Sequence, residues 1–114
     1  MKDGIYRVDF KTGRPEGDGV AVIRKGVLRG LDQECVYSGV FTAIGDGRIA
    51  CRVHTERHPT YGRQSSGMQA TSAMIRAILK LVGTETAKGF ELSGESEADP
   101  RSHHEIRGTL VAEL

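Results

Sequence analysis

From Ile5 to Phe10 the chain alternates, with Tyr6, Val8 and Phe10 on one side and Arg7 and Asp9 on the other. A period of two marks a half-buried strand. Similar short runs recur. Val20 to Arg24 and Val27 to Leu31 flank Lys25-Gly26, which predicts a tight hairpin with Gly26 at positive φ. Cys35 to Ala43 and Arg48 to Glu56 flank Gly45-Asp46-Gly47. In the second of these runs Ile49, Cys51 and Val53 share a face opposite Arg48, Arg52 and His54. Thr12 to Asp18 and His58 to Gly67 carry Gly, Pro and Ser without periodicity and read as loops.

The segment after His58 to Gly67 fits two patterns. Met74, Ile75, Ile78, Leu79 and Val82 recur as one face of a helix, and Ala70 to Lys80 holds good helix formers. The same stretch places Ile75, Ala77, Leu79 and Leu81 opposite Arg76 and Lys80, as in a strand. Strand neighbours on both sides, and the need of an open sheet for a closing partner, favour a strand from about Arg76 to Val82 with a helical turn allowed before it. Gly89 to Ser93 reads as a short strand and Glu95 to His104, with Pro100, as a polar loop. In the closing strand, Ile106, Gly108, Leu110, Ala112 and Leu114 alternate with Arg107, Thr109 and Glu113, which turns Leu110 toward the core. The expected fold is all-β, a small up-and-down antiparallel barrel of about eight strands with a narrow interior.

The length of 114 residues predicts a single domain spanning 1–114. Three Phe, three Tyr and no Trp leave Val, Ile and Leu to fill most of the core. Fifteen glycines, roughly twice the ordinary share, fall mostly at the ends of apolar runs, where turns and bulges need them. A small core favours a homodimer, and the set Val36, Val40, Ile49 and Val53 is its expected contact face. Sixteen Lys and Arg against fifteen Asp and Glu leave a net charge of +1, too little surplus to predict a nucleic-acid partner. No apolar stretch approaches the length of a membrane span or an export signal, so the expected location is the cytoplasm, with no membrane partner. Cys35 and Cys51 are there expected to be reduced.

Candidate chemistry is sparse. His103 and His104 are neighbours, which on a strand point to opposite faces; His54 and His58 are four apart, a helical spacing that loses its meaning in a strand running into a loop; and no CxxC unit stands in the chain, so no metal or other cofactor is expected. Cys51 with His54, or Ser38 with His58, lacks the strand-turn-helix setting that exposes a nucleophile, and no enzymatic activity is expected. Asp32 follows Gly30-Leu31 at a strand end, where its carboxylate can accept a backbone N–H and Tyr37 can reach it. Arg48, Arg52, Arg57 and Arg63 line one edge of the sheet, and pooled arginines suit an acidic protein partner. Tyr6, Val8, Phe10, Val20 and Val22, with Leu110, are the candidates for an inner wall that holds a small apolar ligand.

The run Lys2-Asp3-Gly4-Ile5-Tyr6 with Phe10, then Gly17-Asp18-Gly19-Val20, Lys25-Gly26, Gly30-Leu31-Asp32, Tyr37-Ser38-Gly39 and Val53 with Arg57-His58, resembles the GrlR-like family of negative regulators of type III secretion. The resemblance continues through Leu79-Lys80-Leu81-Val82-Gly83 and the closing strand. It implies a lipocalin-like barrel, paired as a dimer, with an apolar cavity. It also implies a non-enzymatic role in transcription regulation, in which the founding member sequesters a transcriptional activator through four acidic residues on a hairpin loop. The corresponding turn here, Thr42 to Gly47, keeps one carboxylate, Asp46. Asp46, Arg48, Arg52 and Arg57 are therefore the candidates for contact with a regulatory protein. The first expectation is a regulatory or adaptor protein acting through protein binding, and the alternative is a carrier or sensor of a small apolar ligand.

Overall fold

In a computed structural model that describes residues 1–11, 18–57 and 76–114, eight strands follow one another in chain order. They are β1 (Gly4–Lys11), β2 (Asp18–Arg24), β3 (Val27–Leu31), β4 (Cys35–Gly45), β5 (Arg48–Arg57), β6 (Arg76–Thr86), β7 (Gly89–Ser96) and β8 (Asp99–Glu113). Each pairs antiparallel with the next, and β8 returns to β1, so the sheet closes as an up-and-down barrel of the lipocalin-like kind. Closure satisfies strand edges that would otherwise template pairing with other chains.

The first hairpin forms as the sequence predicts. Gly26 has φ +79°, and Lys25 beside it is also left-handed at 51°, the pair of signs that a two-residue turn needs to follow strand twist. The 76–82 segment is strand, and β6 continues to Thr86, since each residue from Leu79 on faces a partner in β7. The helical turn allowed before it and the loop at His58 to Gly67 lie outside the described residues, as does the loop at Thr12 to Asp18 except for Asp18 itself, which opens β2.

Two expectations need correction. The polar stretch from Glu95 to His104 is no loop: β7 runs to Ser96, turns through Glu97 and Ala98, and β8 begins at Asp99. Short polar side chains brace this tip, with the Ser96 N–H donating to Ser102 Oγ at 2.9 Å and the Arg101 N–H to Asp99 Oδ1 at 3.0 Å. Pro100 is tolerated because this end of β8 has no described partner on its β1 side, so the missing N–H removes no ladder bond there.

The second correction concerns β2. Val20 and Val22 do not join the inner wall. They pair with Arg7 and Ile5 and are exposed, while Ala21 and Ile23 point inward at 1% and 0% exposure. Val20-Ala21-Val22-Ile23 is apolar on both faces, so alternation alone does not say which set is inside, and a one-residue choice reverses it.

Aromatic rings fill the interior. Phe90 is fully buried, its centroid 5.8 Å from that of Tyr6 and 5.2 Å from that of Phe41. Val8, Leu28, Tyr37, Ile49, Cys51, Val53, Leu79, Leu81, Leu92 and Ile106, with Ala21 and Ile23, complete the buried cluster. Phe10 and Leu110 are half-buried against it, with Leu110 inward as expected.

Candidate functional site

A closed barrel offers three places for function: its interior, its ends and its outer surface. Inside, Tyr6 and Val8 are each 2% exposed and belong to the packed cluster. The Tyr6 hydroxyl donates to the Lys2 carbonyl at 2.7 Å, and burial, followed by the nearby carboxylates, pushes its pKa up. Three open concavities of about 560, 760 and 810 Å³ are lined mainly by outward residues of the barrel wall.

At one end of the barrel the β3–β4 turn is anchored by Asp32. Its Oδ1 accepts the N–H groups of Glu34 (2.7 Å) and Cys35 (2.8 Å), and the Tyr37 hydroxyl donates to its Oδ2. Tyr37 in turn stacks on Phe10 at 4.7 Å between centroids, tying the turn to the core. Asp32 therefore meets both partners that its position suggested. Cys35 is half-buried beside this turn, and burial, followed by the charges of Asp32 and Glu34, raises its pKa to about 11. Burial raises Cys51 to about 12. Both thiols are free, and neither is a thiolate near neutral pH.

The four candidates for contact with a regulatory protein do not form one surface. Asp46 is exposed at the tip of the β4–β5 turn, between Gly45 and Gly47. Arg48 and Arg52 share the outer face of β5, and Arg52 is held by Glu97 through contacts of 2.7 and 3.1 Å. Arg57 has the opposite parity and lies at the other end of the strand, opposite Cys35 and 3.6 Å from Glu34. Arg63 lies outside the described residues. The expected dimer face also divides: Val36 and Val40 point outward, whereas Ile49 and Val53 are buried. The register explains this, since Val36 and Val40 stand opposite Glu56 and Arg52.

The histidines separate as strand geometry requires. His103 is exposed, with Nε2 2.9 Å from Glu105, while His104 turns inward. Its Nδ1 is buried without a hydrogen-bond partner among the described residues, and burial, then His103, lowers its pKa. Among the described residues no group of three or more His, Cys, Asp or Glu could hold a metal ion. No helix there is long and apolar enough to cross a membrane.

What the sequence reading missed is a surface made by three strands together. Val20 pairs with Leu31 and Leu31 with Val36, an aliphatic row across the outer face of β2, β3 and β4. Two residues along β3, Val22 and Ser38 flank Arg29; two further, Val27 stands between Arg24 and Val40. Among the described residues, six of the ten exposed large hydrophobic residues thus gather on this one face of three adjacent strands. The signal was present in Val27-Leu28-Arg29-Gly30-Leu31, where apolar residues occupy both faces and one set must remain outside. The concavity of about 810 Å³ continues this face past Leu31 and Val36 to Ile78 on β6. Scanned against protein-family models and curated proteins, the chain matches none.

Proposed function

We propose that this is a non-enzymatic regulatory or adaptor protein that acts by binding another protein through the outer wall of its barrel. The observation that carries this reading is the aliphatic face of β2, β3 and β4, where Val20, Leu31 and Val40 are each 56% exposed. A contiguous apolar patch on a soluble surface marks an interaction site, whereas scattered exposed residues do not. The resemblance to GrlR-like regulators of type III secretion supports the same class of action. The outer face, rather than the Asp46 turn with its single carboxylate, is then the contact surface.

The ligand-carrier alternative has less to support it, because Tyr6 and Val8 are occupied in the core around Phe90 and the open concavities lie along the outer wall. The test is a comparative pull-down from the native cell extract with the intact chain and a Leu31→Ser, Val36→Thr double variant as baits. Circular dichroism should show both baits folded, since both positions are exposed. A protein retained by the first and lost from the second supports the reading. Identical retained sets, or none, would sink it.

A further inference from the structure

The apolar face contains two arginines with no carboxylate assigned to them. Arg7, Arg52, Arg57, Arg76, Arg101 and Arg107 each form a salt bridge; Arg24 and Arg29, within the aliphatic face, form none among the described residues. The acidic residues at its rim are already engaged, Asp18 with Arg7 at 3.2 Å and Glu56 with Arg76 at 3.6 Å. Arg29 lies midway between the Val20–Leu31–Val36 row and the Val27–Val40 pair. The face therefore presents aliphatic, cationic, aliphatic in succession along the strands.

We infer that this face docks an acidic amphipathic helix of another protein, with aliphatic side chains over the two valine-rich rows and a carboxylate between them on Arg29. The inference rests on the protein-binding reading above and names the partner's chemistry. All five β3 residues are paired on both sides, so no backbone edge is free for strand addition there and recognition falls to side chains. Leu31 and Val27 are four residues apart, about 13 Å along a strand, and helix positions i and i+8 are about 12 Å apart. A residue at i+4 then falls over Arg29. The width from β2 to β4, about 10 Å, matches a helix diameter.

A second copy of the chain fits less well. A two-fold axis through the centre of the face would bring Arg29 against its own symmetry mate, with no free carboxylate in the face between them. Like charges so placed oppose association.

Three fluorescein-labelled, alanine-rich peptides of about 18 residues, long enough for helix formation, would test this on the intact protein. All carry Leu at i and i+8; position i+4 and its flanks are Glu, Gln or Lys. Amide chemical shifts locate binding, and anisotropy at two salt concentrations measures it. The Glu peptide should perturb Val20 to Leu31 and Val36 to Val40, bind best, and weaken as salt rises. Arg24→Glu with Arg29→Glu should weaken it at least about tenfold and favour the Lys peptide instead. Equal binding of the Gln peptide at the same residues would overturn the acidic partner while leaving protein docking in place. Absence of shifts on this face with every peptide would overturn the inference, and so would a dimer by light scattering that Leu31→Ser converts to monomer. The pull-down comparison tests the broader reading independently.

Discussion

Phe90 on β7 and Gly108 on β8 stand directly opposite one another, and the Phe90 ring occupies the space that a side chain at position 108 would need. The absence of a Cβ at Gly108 is what admits the ring to the barrel centre, where it touches Tyr6 and Phe41. Gly108→Ala should therefore destabilise the fold by about 1–3 kcal/mol through overpacking, and Phe90→Ala by about 3–5 kcal/mol. In a Phe90→Leu background the Gly108→Ala cost should shrink, which a urea-unfolding double-mutant cycle measures. Strictly additive costs would show that the two positions do not share this space.

The Asp32 turn should behave as a structural unit. Asp32→Ala leaves two backbone N–H groups and the Tyr37 hydroxyl without their acceptor and should cost about 1–3 kcal/mol. Tyr37→Phe removes only one of these bonds and keeps the stacking on Phe10, so its cost should be smaller, about 0.5–1.5 kcal/mol. Denaturant midpoints of the two variants rank them. The reverse order would mean that the hydroxyl, not the turn, holds this end of the barrel.

His104 makes stability depend on pH with a definite sign. Burial lowers its folded-state pKa below the unfolded value, so the unfolded chain binds the proton more readily. Its contribution is present above the ordinary imidazole pKa and is lost as pH falls below it through the lowered folded one. His103 acts in the same direction on His104, and Asp99 opposes it. His104→Gln should flatten the melting temperature across that window. An unchanged slope in the variant would assign the dependence to other groups.

Thiol chemistry gives a separate check. With Cys35 near 11 and Cys51 near 12, both should react slowly with iodoacetamide at pH 7.5, and Cys51, at 3% exposure, more slowly still. Both should label readily in denaturant. Rapid labelling of Cys51 in the folded protein, read by mass spectrometry, would contradict its burial in the core.

Period-two runs and glycine turns were enough to read the presence of eight strands, though not the extent of β7 and β8, and with them the Gly26 turn, the inward Leu110 and the Asp32 anchor, because these depend on residues close in sequence. The β6 assignment went further: helix and strand fit its residues locally, and only the closure of the sheet favoured the strand. Sidedness was not legible where both faces are apolar. Val20 and Val22 lie outside because the register sets Ala21 and Ile23 against Tyr6 and Gly4, a long-range pairing that alternation alone cannot specify. For the same reason Val36 and Val40 separate from Ile49 and Val53. The aliphatic face around Arg29 exists only once β2, β3 and β4 lie side by side, since its members are distant in sequence until the ladder hydrogen bonds bring them to neighbouring positions. Local chemistry determined the strands and turns; the register of the closed sheet decided which side chains meet.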